Sequence, residues 1–150
     1  MKILVCTDGS DHSQKAIREA LLVAEGCKVN EVAIIHVHDD NPTIIYPHAN
    51  LGMNPEHIKQ LQKISDKEKA EWEKILSESK KLFEEKHIKA RIILKEGHAS
   101  DTIVKVAQKE GFDMIVVGSR GAGGLERMLL GSVSNAIIQE VKDCSVLVVK

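Results

Sequence analysis

The sequence predicts an α/β fold: one domain, residues 1–150, with an open, mostly parallel five-stranded sheet and helices on both faces. Three observations support this prediction. Short apolar runs alternate with segments of helical periodicity, in the order β-α-β-α-β-α-β-α-β. The runs are apolar along their whole length, which is typical of parallel strands buried on both faces. The 150 residues are about the size of one domain, and no linker or internal repeat divides them.

The first strand and helix are marked by clear boundaries. Residues 2–7 form an apolar run that stops at an Asp-Gly-Ser turn, as a buried strand would. Residues 10–25 then carry apolar side chains at helical spacing. Ser10 or Asp11 can cap the start of this predicted helix, and Gly26 stands where it would stop.

The next part of the chain contains a strand, an irregular segment and a long helix. Residues 31–38 are apolar and predict the second strand, whereas residues 39–55 contain all three prolines and form no regular pattern. Residues 56–86 show helical periodicity with a polar, solvated face. Ser65 and Glu68 have the spacing of a capping box, so this segment is predicted to be either two helices or one kinked helix.

The second half of the chain repeats the alternation. Apolar runs predict three more strands, and helical spacing with glycine boundaries predicts two more helices. In chain order these elements are the strand 90–95, the helix 100–110, the strand 112–117, the helix 132–141 and the strand 145–149.

Composition excludes several classes of protein. A formal net charge of -1 and an aromatic content of 3% argue against a nucleic-acid-binding protein. The apolar runs are shorter than the ~20 residues that a membrane span requires, so we expect no membrane insertion and a cytoplasmic location. The cysteines Cys6, Cys27 and Cys144 are odd in number and widely spaced, which fits neither a disulfide framework nor a zinc ribbon. Cys6 and Cys144 adjoin apolar runs and are expected to be buried.

Histidines provide no convincing metal site. The chain has seven histidines, but none has a tight ligand pattern with a carboxylate partner. We therefore expect surface or capping roles for most of them. His36, inside the second predicted strand, is expected to be structural.

Ligands of open parallel sheets bind beyond the carboxyl ends of the strands, where the strand order reverses. This rule selects three segments: residues 7–10, 36–40 and 118–134. The last of these has four glycines in seven residues directly after a strand, which lets the backbone approach a ligand closely. Gly131 and Ser132 then open a helix whose free N–H groups suit a phosphate. Neither the P-loop pattern nor GxGxxG is present here.

Five sequence pieces together resemble a known family. They are the opening ILVCTDGS, the HV that ends the second strand, GSRG, LLGSVS and the closing CSVLVVK. Their order, and the spacing Gly118-x2-Gly121-x9-Gly131-Ser132, resemble the ATP-binding branch of the universal stress protein family. The resemblance covers the whole chain. It implies a Rossmann-like fold of the adenine nucleotide alpha hydrolase type, with ATP or another adenine nucleotide as ligand and Mg²⁺ or Mn²⁺ accompanying it.

The resemblance also implies roles for individual residues. Asp8 is expected near the ribose and phosphates, where it would help to hold the divalent ion, and the backbone of Val37 is expected against the adenine. The glycine loop would surround the ribose and phosphates. The Ser132 and Ser134 hydroxyls and the Val133 backbone N–H would donate to phosphate. The full predicted site comprises Cys6, Thr7, Asp8, Val37, Val117, Gly118, Ser119, Arg120, Gly121, Gly124, Gly131, Ser132, Val133 and Ser134.

Cys6 departs from the family pattern, in which Pro or a small residue is common at this position. This departure is expected to change the adenine-side wall without abolishing binding. For Arg120, a phosphate contact and a solvent-facing orientation are equally compatible with the sequence.

The resemblance further implies a homodimer joined through residues 146–149, with a tetramer left open, and a protein partner whose identity the sequence does not give. The leading functional hypothesis is a nucleotide-dependent switch of the stress response, with at most slow ATP hydrolysis, because no catalytic grouping is recognisable. An enzyme of nucleotide chemistry is the second hypothesis, although the HxGH signature is absent and residues 8–13 only faintly resemble an SGGxDS loop. The third is a nucleotide-independent interaction protein, ranked last because the glycine motif is retained.

Overall fold

The computed structural model describes residues 1–38, 55–121 and 130–150, with side chains of the long second helix described from residue 66 onward. Nine elements are found in these residues. In chain order they are β1 (Lys2–Cys6), α1 (Asp11–Gly26), β2 (Glu31–His38), α2 (Pro55–Glu84), β3 (Ala90–Glu96), α3 (Ala99–Glu110), β4 (Met114–Gly118), α4 (Ser132–Glu140) and β5 (Ser145–Val149). The alternation predicted from the sequence is confirmed.

The five described strands form one sheet in the order β3-β2-β1-β4-β5, and every neighbouring pair is parallel. Val5 of β1 is in register with Ile34 on one side and with Val116 on the other. The chain thus builds outward from β1 to β3, then returns to the other side of β1 to build β4 and β5. The strand order reverses between β1 and β4, which is where this fold class places its ligands.

The core has two layers, one on each face of the sheet. Alternate residues of β1 point to opposite faces, as the period of a strand requires. Ile3 and Val5 pack with buried residues of α1 and α2, and Leu4 packs with buried residues of α3 and α4. Both faces are therefore covered, which explains why the strands are apolar along their length.

The helix boundaries follow recognisable caps. Ser10 is the N-cap of α1, where its Oγ accepts a hydrogen bond from the Ser13 backbone N–H at 3.2 Å. Helix α1 ends at Gly26, and α3 is stopped by Gly111 in the left-handed conformation, with φ of 65°. Helix α2 runs uninterrupted for 30 residues, so the alternative of two separate helices is wrong.

Strand ends differ from the predictions by one or two residues. β1 stops at Cys6, although the Thr7 N–H still donates to Ile35 O at 2.9 Å. β4 starts at Met114 because the Phe112 N–H is engaged by the end of α3, where it donates to Ala107 O. No helix among the described residues is both long and apolar enough to cross a membrane.

Candidate functional site

A cavity of about 600 Å³ lies at the carboxyl ends of β1 and β4, where the strand order reverses. Most residues of the predicted site line it. These are Cys6, Thr7, Asp8, Val37, Val117, Gly118, Arg120, Gly121, Gly131, Ser132, Val133 and Ser134. The fold therefore brings together three segments that are more than 20 residues apart in sequence.

One wall of the cavity is apolar. Cys6 ends β1, Val37 lies near the end of β2, and Val117 lies near the end of β4. Cys6 is only 6% exposed, and burial raises the pKa of its thiol, an effect that the nearby Asp8 carboxylate reinforces. The thiol therefore stays protonated and contributes a neutral surface to this wall.

Asp8 lies in the turn between β1 and α1 and forms part of the polar end of the cavity. Its Oδ1 accepts hydrogen bonds from the Ser10 backbone N–H at 3.1 Å and from Ser10 Oγ at 2.6 Å. Its Oδ2 faces Gly121: a Cβ atom built on that glycine would lie 2.6 Å from it. Any side chain at position 121 must therefore displace the Asp8 carboxylate.

Gly118 has a packing role that the sequence-based hypothesis did not include. A Cβ atom at this position would lie 2.8 Å from the backbone carbonyl carbon of His12, in the first turn of α1. Because backbone atoms cannot move aside as the end of a flexible side chain can, the glycine lets α1 approach β4. This close approach places the start of α1 beside the cavity.

The start of α4 also lines the cavity. Gly131 is its N-cap and provides no side-chain cap, so the first N–H groups of the helix have no partner from that residue. Ser132 is the first helical residue and is exposed. The Ser134 hydroxyl, predicted to donate to a phosphate, is instead bonded to the carbonyls of Ser119 at 3.1 Å and Gly131 at 3.0 Å. In this geometry it stabilises the loop.

Among the described residues of the predicted site, Ser119 does not line the cavity. Ser119 is completely buried, and its backbone N–H donates to Val149 O at 2.6 Å while its carbonyl accepts from the Gly131 N–H at 2.7 Å. Ser119 thus ties the glycine loop to β5 and to the start of α4. Gly124 lies outside the described residues.

His36 is structural, as predicted. It is buried, and its Nδ1 donates to the Thr7 carbonyl at 2.9 Å, since a carbonyl can only accept. Its ring stacks on that of Trp72 from α2, with centroids 3.4 Å apart and planes 15° apart. Burial lowers the pKa of His36, although the bond to Thr7 partly opposes this.

A sequence model of the universal stress protein family matches residues 1–150. The chain belongs to this family. This universal stress protein is 36% identical over 149 residues to "Universal stress protein YxiE" of Bacillus subtilis, covering 99% of this chain and 98% of that one.

Solved structures show the same fold. The protein MJ0577 superposes with a TM-score of 0.81 at 29% identity, covering 99% of this chain and 94% of that one. A universal stress protein from Archaeoglobus fulgidus, solved in complex with dAMP, has a TM-score of 0.63 at 21% identity, covering 100% of this chain and 98% of that one. The second likeness shows the fold alone.

In the described part of this universal stress protein, sequence reasoning missed four residues that line the cavity: Ser13, Ile35, Ala99 and Ile103. Ala99 and Ile103 lie at the start of α3, which follows β3. The rule on carboxyl strand ends could have indicated Ala99, because β3 ends at the same edge of the sheet as β2. No sequence signal identifies Ile103, because its contact with the cavity depends on how α3 packs.

Proposed function

We propose that this protein binds ATP, or another adenine nucleotide, in the cavity between β1 and β4 and acts as a nucleotide-dependent switch in a homodimer. One observation carries the proposal. A cavity at the reversal of strand order is lined by apolar residues that pack in one cluster, and by a carboxylate, a glycine loop and a helix start that lie next to one another. A nucleotide has the same division, with a flat base at one end and phosphates at the other.

The apolar wall suits an adenine ring. The cavity volume of about 600 Å³ falls within the ~300–1,000 Å³ of small-molecule sites. Ile35 and Ile103 add aliphatic surface to that of Val37 and Val117, so the ring can be enclosed between side chains from β2, α3 and β4. Specific recognition of the base then depends on backbone groups near Val37.

The polar end suits phosphates. The Ser132 and Val133 backbone N–H groups are at the start of α4, where the helix dipole favours an anion. Arg120 also lines the cavity, and its Nε is buried without a hydrogen-bond partner in the described parts of the chain. A phosphate oxygen would satisfy this donor with a charge-assisted bond.

Asp8 fits a divalent cation that accompanies the nucleotide. Carboxylate oxygens are preferred ligands of Mg²⁺, which binds through one or two carboxylates together with substrate phosphates. Among the described residues that line the cavity, Asp8 is the acidic one. A bound Mg²⁺ or Mn²⁺ would neutralise phosphate charge, while Ser10 holds the orientation of the carboxylate through its two hydrogen bonds.

The proposed dimer forms through β5. Among the described strands β5 lies at an edge of the sheet, and its Val146, Leu147 and Val148 are only half-buried. An edge strand with apolar side chains is a ready template for pairing with another strand. The hydrogen bond from Ser119 N–H to Val149 O connects this edge to the glycine loop. Nucleotide binding at the loop can therefore affect the dimer interface directly.

Thermal unfolding tests the proposed ligand. Mg-ATP should raise the Tm of the nucleotide-free protein, because a ligand that binds only the folded state stabilises it by RT ln(1 + [L]/Kd). Mg-GTP and inorganic phosphate should raise it less. An unchanged Tm with every adenine nucleotide would contradict the proposal and favour a nucleotide-independent interaction protein.

A further inference from the structure

We propose that Trp72 is a positioning residue of this site: stacked on His36, it holds the turn that carries Asp8 against the cavity. The inference rests on the proposed function, because the purpose of the turn is to present Asp8 to a nucleotide. Trp72 is the single tryptophan of the chain and belongs to α2. Among the described residues, α2 contributes no side chain to the cavity.

The residue before Asp8 is held by His36. The Thr7 carbonyl accepts the His36 Nδ1–H at 2.9 Å, and the Thr7 N–H donates to Ile35 O at 2.9 Å. Both partners belong to β2, so Thr7 is fixed to the sheet on both sides of its α-carbon. The orientation of the His36 ring therefore sets the position of the peptide that leads into Asp8.

The residue after Asp8 is held by Trp72. Gly9 has a φ of +76°, and a Cβ atom built on it would lie 3.1 Å from Trp72 Cη2. The backbone of the turn thus lies directly against the indole ring. The Gly9 N–H donates to Thr7 Oγ1 at 3.3 Å, which closes the turn upon itself.

The two rings hold the turn together because they are stacked face to face, with their centroids 3.4 Å apart. His36 contacts the turn before Asp8, and Trp72 contacts it after Asp8. His36 follows Ile34 by two residues in β2, so its ring lies on the face of the sheet that Ile34 shares with α2, whereas Asp8 lines the cavity. Removing the indole therefore removes a packing contact of the turn without removing any atom of the cavity wall.

Hydrogen exchange in the absence of nucleotide tests the positioning role. In Trp72→Leu, the Gly9 and Ser10 amides should exchange up to about tenfold faster, which corresponds to the loss of one aromatic stacking interaction. Trp72→Phe retains a ring and should restore slow exchange. Phe83→Leu is the matched control: it removes a fully buried aromatic from the same helix, away from the turn, and should leave these two amides unchanged.

Calorimetric titration with Mg-ATP is the second readout. Trp72→Leu should bind about tenfold more weakly than wild type. Trp72→Phe and Phe83→Leu should bind as wild type does. If Trp72→Leu fails to fold, His36→Gln is the second variant. The glutamine side chain can still donate a hydrogen bond to Thr7 O, but it cannot stack on Trp72. The Gly9 and Ser10 backbone amides should therefore exchange faster in this variant.

The outcomes separate the two proposals. Unchanged exchange at Gly9 and Ser10 in the folded Trp72→Leu or His36→Gln variant would overturn the positioning role. Faster exchange with unchanged Mg-ATP affinity would also overturn it, because the turn would then not matter to binding. Absence of Mg-ATP binding by the wild type would refute the proposed function, whereas the exchange data would still decide whether Trp72 holds the turn.

Discussion

Asp8 and Gly121 face each other across the polar end of the cavity so closely that a Cβ atom on Gly121 would lie 2.6 Å from Asp8 Oδ2. The two residues are 113 positions apart in the sequence and meet because β1 and β4 are neighbours. The carboxylate needs this space to remain where Ser10 holds it. The glycine loop thus has a function beyond flexibility: it leaves room for the acid.

Gly121→Val is therefore predicted to weaken nucleotide binding by at least about tenfold while leaving the fold intact, since the displaced group is an aspartate side chain rather than the core. Binding of Mg-ATP and circular dichroism measure the two effects. Gly26→Ala is the matched control, because a Cβ atom at Gly26 would meet nothing within 4 Å. Equal affinities of wild type and Gly121→Val would show that the site lies elsewhere.

Gly118→Ala is predicted to destabilise the fold itself. Its new Cβ would lie 2.8 Å from the His12 backbone, so α1 must shift away from β4. Overpacking of this kind costs about 1–3 kcal/mol in the free energy of unfolding. Denaturant unfolding measures the loss, again with Gly26→Ala as the comparison. A Gly118→Ala protein as stable as wild type would mean that α1 does not approach this closely.

Because of His36, the free energy of unfolding is predicted to depend on pH. Burial lowers its pKa below the value in the unfolded chain, so the unfolded state binds the proton more readily. The stabilising contribution of neutral His36 is complete above the unfolded pKa of about 6.5 and declines as the pH falls below it. His38 acts in the same direction as burial, whereas Asp8 and the bond to Thr7 oppose it.

Denaturant unfolding at pH 7.5 and pH 5.5 tests this prediction. The loss of stability between the two pH values should be smaller in His36→Gln than in wild type, because glutamine does not titrate. Since the other histidines are retained, the difference between the two proteins isolates His36. An identical loss in both proteins would show that His36 does not contribute.

The proposed dimer predicts the molecular mass of the protein in solution. Sedimentation equilibrium should show about twice the 16.6 kDa of one chain. Leu147→Lys places a charge on the half-buried edge strand and should yield monomers, provided circular dichroism shows a folded protein. Leu22→Lys replaces a leucine that is 61% exposed on α1 and should remain dimeric. Monomeric wild-type protein would refute the dimer.

The sequence was sufficient to predict the fold class, because five uniformly apolar runs separated by helical segments leave few arrangements other than a covered parallel sheet. The glycine loop and the Asp-Gly-Ser turn are local signals, and together with the resemblance to universal stress proteins they identified most of the described residues that line the cavity. The sequence could not show that Gly118 accommodates α1 or that Ser134 bonds to the Ser119 carbonyl. Those contacts depend on packing between distant segments, as does the stack of Trp72 on His36.

Calorimetric titration of the nucleotide-free protein with Mg-ATP tests the central claim most directly. We predict micromolar binding, about −8 kcal/mol, at one site per chain, and at least tenfold weaker binding by Gly121→Val. No measurable binding by folded wild-type protein, with a second binding assay in agreement, would contradict the proposal that the cavity between β1 and β4 holds an adenine nucleotide.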